Sequence, residues 1–129
     1  MDVDSEHGAS HRHPVLVVED DPDIRECVQM VLEEEGYEVI TAANGEEAER
    51  ELDHIACPCL MLLDLMMPVM SGWELLEHLR HSGRLDHDLQ VVVVSASPTH
   101  LPRGPIRCMR KPVRLDQLLA TVKELQPAQ

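Results

Sequence analysis

The sequence contains no phenylalanine and only one tryptophan and one tyrosine, so aromatics make up 2% of its 129 residues. Any core must therefore be aliphatic, with seven methionines available to fill irregular gaps. Basic residues are also scarce: 11 Lys and Arg stand against 24 Asp and Glu, a formal charge of −13. Such a surface repels phosphate backbones and anionic lipid, which argues against nucleic-acid and membrane partners. No apolar run reaches the roughly 18–20 residues of a membrane span. The acidic, His-bearing start lacks the basic-then-apolar order of a secretory signal. A cytoplasmic protein is expected. The four cysteines, Cys27, Cys57, Cys59 and Cys108, form no C-x-x-C pair. They are expected to be small buried side chains rather than a disulfide framework or a zinc site.

The length suits one domain, and apolar residues at 43% are enough to build its core. Residues 1–13, with His7, His11 and His13, read as a disordered His-rich tail. From Pro14 onward, short apolar runs alternate with helical patterns. Val15 to Val18, Tyr37 to Thr41, Cys59 to Leu63, Gln90 to Val94 and Ile106 to Arg110 read as strands. Asp21-Pro22 opens a helix with a cap and a proline in its first turn, and Gly36 ends it. Ile24, Cys27, Val28, Val31 and Leu32 would face inward. Asn44 caps a second helix with Ala48, Leu52 and Ile55 inward. Trp73, Leu76 and Leu79 mark a third, and Leu115, Leu118, Leu119, Val122 and Leu125 make the clearest amphipathic helix. Five strands alternating with helices imply an α/β fold, a parallel sheet covered on both faces. In such sheets ligands bind beyond the carboxyl ends of the strands.

Those ends carry a specific set of groups: Glu19 and Asp20 after the first strand, Asp64 after the third, Ser95 after the fourth and Lys111 after the fifth. Three carboxylates about 4–5 Å apart repel by roughly a few kcal/mol per pair at an effective dielectric of 20, a cost that a divalent cation removes. A small all-oxygen site suits Mg²⁺, which retains waters and can gather phosphate oxygens. The set points to phosphoryl transfer with Asp64 as the nucleophile, Lys111 neutralising charge and Ser95 donating a hydrogen bond to the acyl phosphate.

The strings VLVVEDDPDIRE at 15–26, LLDLMMPVMSGWELL at 62–76, VVVVSAS at 91–97 and RKP at 110–112 resemble the receiver domain of bacterial two-component response regulators, over roughly residues 14–126. The resemblance implies a flavodoxin-like, doubly wound, five-stranded parallel sheet of order 2-1-3-4-5. It matches Asp64 to the phosphoacceptor, Glu19 and Asp20 to the acidic pair, Ser95 to the switch hydroxyl and Lys111 to the family lysine. Mg²⁺ would be held by Glu19, Asp20, Asp64 and the backbone carbonyl of Met66, with Asp20 the more direct of the acidic pair. Pro68 and Gly72 would shape the loop after Asp64, Lys111-Pro112 would be cis, and side chains at Met66 and Ser97 would tune hydrolysis. The implied donor is a sensor histidine kinase or a histidine phosphotransfer protein. The domain would catalyse its own phosphorylation and dephosphorylation without being a conventional enzyme, as a monomer or weak dimer signalling to a downstream protein. The few residues after Leu125, with 127–129 read as a tail, leave no room for an output domain. A stand-alone receiver is therefore expected.

Two features depart from the family pattern. The step from Ser95 to Lys111 is 16 residues (111 − 95); the family usually has about six more, roughly 9 Å of helix. Pro98, Pro102 and Pro105 also interrupt the segment, so a fourth family helix is expected to be shortened or missing. Cys108 stands where the family has an aromatic switch residue. These departures motivate a rival reading, a phosphorylation-independent pseudo-receiver acting as a protein-binding adaptor. A phosphatase of the haloacid dehalogenase type is rejected because Met66 replaces its second aspartate. Among the blander expectations, Asp21 is a helix cap, Met61, Met66, Met67 and Met70 are packing residues, Trp73 is core, and His54, His78, His81, His87 and His100 lie on the surface.

Overall fold

A computed structural model describes residues 14–55, 59–67, 69–85, 89–96 and 106–125. The elements run β1 (Val15–Val18), α1 (Pro22–Glu34), β2 (Val39–Ala42), α2 (Gly45–Leu52), β3 (Cys59–Asp64), α3 (Gly72–His81), β4 (Leu89–Ser95), β5 (Arg107–Arg110) and α4 (Leu115–Leu125). The five strands form one parallel sheet of order β2-β1-β3-β4-β5, as expected.

Side chains alternate across a strand, and among the described residues two helices cover each face of this sheet. Leu16, Val18, Met61, Leu63 and Val93 pack with Ala48, Leu52, Leu75, Leu76 and Leu79 of α2 and α3. Val15, Val17, Leu60, Leu62 and Val92 pack with Leu32 of α1 and with Leu118 and Val122 of α4. The central strands β1 and β3 are buried throughout, which is why they read as continuous apolar runs rather than alternating ones.

The helix boundaries follow local chemistry. Asp21 accepts hydrogen bonds from the backbone N–H groups of Asp23 and Ile24 and caps α1, with Pro22 in the first turn. Gly36, at φ +93°, takes the left-handed conformation after that helix. Asn44 caps α2 through Glu47 N–H, and Ser71 and Glu74 form a reciprocal capping box on α3.

Several expectations are corrected. Cys27 and Cys108 are exposed, and of the described cysteines only Cys59 is buried. Ile24 is 44% exposed, because it lies on the rim of α1 rather than beneath it. β5 is largely exposed, because it is the edge strand of the sheet. Met66 is exposed, whereas Met61 is core and Met67 and Met70 pack partly against it. Trp73 is half-buried against the same cluster. His54, His78 and His81 are exposed as read. The tails at 1–13 and 127–129, Cys57, Pro68, His87, Ser97, His100 and the shortened or missing helix at 97–105 lie outside the described residues.

Among the described residues of the loop after β3, Val69 is strained. Val69 has φ +69°, a left-handed conformation that a β-branched side chain disfavours, and it is 73% exposed, so no packing offsets the strain. Replacing Val69 with Asn or Gly is expected to raise stability by about 0.5–1 kcal/mol, read from urea unfolding midpoints. An unchanged or lowered midpoint would contradict this account.

Candidate functional site

Register explains how the strand ends converge. Val18 pairs with Leu63, so Glu19 and Asp64 emerge at the same level on adjacent strands. Asp64 pairs with Val94 and Ser95 with Arg110, which brings Ser95 and Lys111 to the same edge. The Lys111 amide donates to the Ser95 carbonyl at 3.0 Å, and the Lys111–Pro112 bond is cis.

The acids meet there. Glu19, Asp20 and Asp64 each offer a carboxylate oxygen within 4.8 Å of the others; among the described residues they are the one such cluster of metal-capable side chains. Glu19 and Asp64 are buried, at 7% and 4% exposure, and Asp20 is exposed. Lys111 Nζ lies 3.2 Å from Asp64 Oδ2 and 3.8 Å from Glu19 Oε1. Asp64 Oδ1 accepts from the Met66 amide at 3.2 Å. One face of the Asp64 carboxylate is therefore held by the lysine and the other by the backbone of its own loop. Ser95 is buried at the same edge, at 6% exposure.

The β1–α1 turn is closed by its own hydrogen bonds. Glu19 Oε2 accepts from the Asp21 amide at 3.1 Å, and Arg25 Nη1 donates to the Glu19 carbonyl at 2.9 Å. Sequence reasoning missed Arg25 because its role depends on the helix folding back over the strand end. Burial pushes the Glu19 carboxyl up to about 7, with the charge of Asp64 and a hydrogen bond shared with Asp20 adding to the rise; the Asp21 amide and Lys111 pull the other way. Partial cover also raises the Cys108 thiol, which lowers its thiolate fraction and disfavours a redox role.

The site can take a cation. Among the described residues, two buried carboxylates and one exposed carboxylate share one nearby lysine, so negative charge is in excess, and the donors are hard oxygens without His or Cys. That donor set suits Mg²⁺ rather than zinc.

Comparison with known proteins decides the family. Residues 15–123 match the model of the response regulator receiver domain. The chain belongs to that family. This receiver domain is 33% identical over 114 residues to the transcriptional regulatory protein TrcR of Mycobacterium tuberculosis, covering 86% of this chain and 44% of TrcR. It is 42% identical over 82 residues to the response regulator RR06 of Streptococcus pneumoniae, covering 64% of this chain and 36% of that protein. The receiver thus spans less than half the length of these two curated relatives. Among solved structures it is similar to the response regulator TrrA of Thermotoga maritima, solved in complex with Mg²⁺–BeF, with TM-score 0.74 and 33% identity over 88% of this chain and 98% of that one. A Francisella response regulator receiver domain matches with TM-score 0.77 and 28% identity, covering 88% of this chain and 95% of its own. Membership in this family implies a place in phosphorelay signalling. No helix among the described residues is long and apolar enough to cross a membrane.

Two measurements check the geometry. A Cβ on Gly72 would lie 2.8 Å from both the Asp64 carbonyl oxygen and Leu65 Cα, and both are backbone atoms that cannot swing aside. Gly72→Ala is therefore expected to cost about 1–3 kcal/mol in denaturant unfolding. The raised Glu19 pKa sets a direction with pH. Unfolded, the carboxyl titrates near 4.5; folded, near 7, so its stabilising contribution is complete below 4.5 and lost as pH rises through 7. In a metal chelator, Glu19→Gln should flatten the wild-type decline in stability between pH 5 and 8 by on the order of 2 kcal/mol. Parallel curves for the two proteins would contradict the assignment.

Proposed function

We propose that Asp64 is the phosphoacceptor of this receiver, phosphorylated in the presence of Mg²⁺ by a phosphohistidine on a sensor histidine kinase or phosphotransfer protein. The observation that carries the reading is the buried Asp64 carboxylate, 3.2 Å from Lys111 Nζ and clustered with Glu19 and Asp20 at the carboxyl edge of the sheet. The Thermotoga relative solved with Mg²⁺–BeF supports the same choice of cation.

An Asp64 carboxylate oxygen attacks phosphorus, the bond from phosphorus to the donor's imidazole nitrogen breaks, and that nitrogen leaves with the electron pair and takes up a proton. Glu19, Asp20, Asp64 and the Met66 carbonyl would hold the cation, which supplies charge neutralisation for the phosphoryl oxygens when bound. Lys111 already contacts Asp64 and places a positive charge where the transferred oxygens arrive. The Met66 amide keeps Asp64 Oδ1 oriented. Ser95, at the same edge, donates to the acyl phosphate, whose extra charge and oxygens draw the hydroxyl and lysine inward. That movement alters the surface read by a downstream protein. The domain comprises residues 14–126, and the cytoplasm is the compartment that fits a partner kinase's phosphorylated domain.

Incubation with acetyl phosphate and Mg²⁺ should add one phosphoryl group to the wild-type chain and none to Asp64→Asn, as read by intact-mass and peptide mass spectrometry. Lys111→Met should slow the reaction about ten- to a hundredfold. A wild-type chain that stays unmodified would favour the adaptor reading.

A further inference from the structure

A groove of about 670 Å³ runs from the acidic edge between α1 and α4. Its walls are apolar: Val17 and Leu62 from the sheet, Ile24 and Val28 from α1, Leu115 and Leu118 from α4. Ile24 and Leu115 remain exposed on its rim, so the two helices leave apolar surface uncovered there. Among the described residues, the charged groups lining it are Glu19, Asp23, Asp64 and Lys111. Three acids and one base leave that end net negative. Volume, apolar walls and a few polar groups gathered at one end are the attributes of a small-ligand site.

We infer that this groove binds apolar amines: monocations whose ammonium head sits among the acids at the edge and whose hydrocarbon body lies between α1 and α4. Charge selects this class. An anionic head would meet the excess of carboxylates, and a neutral head would leave that excess uncompensated. A protonated amine donates hydrogen bonds to carboxylates and adds the positive charge the cluster lacks. The body buries apolar area that is otherwise wet at Ile24 and Leu115. Because Glu19 and Asp64 belong both to the groove and to the acidic cluster, the amine competes with a divalent cation. This competition rests on the reading of those acids as cation ligands. An occupied groove would therefore hold the receiver in an unphosphorylated state.

The test is amide NMR of the whole chain, titrated with 4-phenylbutylamine, 4-phenylbutanol and 4-phenylbutyrate, first in a chelator and then at rising Mg²⁺. The amine should give saturable shifts at residues 24–28 and 115–118. The alcohol should bind at least about tenfold more weakly, since it lacks the charged partner, and the carboxylate should not saturate. Mg²⁺ should raise the apparent Kd of the amine linearly with its concentration, by the factor expected for competition at the Mg²⁺ affinity measured alone. The double substitution Ile24→Ser with Leu115→Ser should weaken the amine about five- to tenfold while leaving Mg²⁺-induced shifts at residues 19, 20 and 64 in place. Equal binding of all three probes, or shifts scattered away from α1 and α4, overturns the inference. Amine binding indifferent to Mg²⁺, where Mg²⁺ itself shifts residues 19, 20 and 64, overturns the placement of the head. If Mg²⁺ shifts none of those residues, the cation reading fails instead, and charge selectivity among the three probes decides the amine site.

Discussion

Three carboxylates confined within 4.8 Å, with one lysine to balance them, are the constraint around which the molecule is arranged. At an effective dielectric of 20, each like-charged pair at that spacing costs about 3 kcal/mol. Lys111 offsets part of that cost through its contact with Asp64 at 3.2 Å and, more weakly, with Glu19 at 3.8 Å. Burial, with the charge of Asp64 adding to it, raises the Glu19 carboxyl to about 7, so at neutral pH the cluster is only partly ionised. A site in this condition favours added positive charge. Its chemistry follows from that deficit rather than from any single residue.

Holding such a cluster together requires a rigid frame, and the sheet supplies it. β1 and β3 are sealed on both faces, so their carboxyl ends cannot drift apart without opening the two cores. The turn after β1 is fixed by Asp21, Arg25 and the Glu19 side chain acting on one another. Gly72 lets α3 begin directly against the backbone of Asp64 and Leu65, with its amide bonded to the Leu65 carbonyl at 3.1 Å. Among the described residues, the non-glycine residue at positive φ is Val69, in the exposed loop that leads away from the phosphoacceptor candidate. The apolar groove between α1 and α4 is the complementary weakness, a stretch where the second face leaves aliphatic surface open beside the charged edge.

Much of this was legible before any coordinates. The apolar runs of β1, β3 and β4, the caps Asp21 and Asn44 and the pattern of α4 each carry a local physical signature, and these strands lie within a residue of where they are expected, whereas α2 ends at Leu52, short of Ile55. Errors came where burial depends on neighbours distant in the chain. β5 carries the apolar Met109 and follows Ile106, yet it is the edge strand of the sheet and largely exposed. Cys27 and Ile24 fit the helical period of α1, but the groove leaves them at its rim. Met66 stands between the apolar Leu65 and Met67 in sequence and still points outward, because the loop turns once Asp64 is placed.

The sequence by itself determined which groups are available and in what order: acids after the first and third strands, a hydroxyl after the fourth, a lysine after the fifth. That information is local, because a strand end is marked by the change from apolar to polar within a few residues. Tertiary structure alone decided that Lys111, 47 positions beyond Asp64 (111 − 64), comes to 3.2 Å from its carboxylate. It also decided that Arg25 holds the Glu19 carbonyl and that α1 and α4 part enough to leave a groove. Those distances depend on sheet order and on the depth at which each helix packs, which are set by the summed fit of two cores and not by any one segment of the chain.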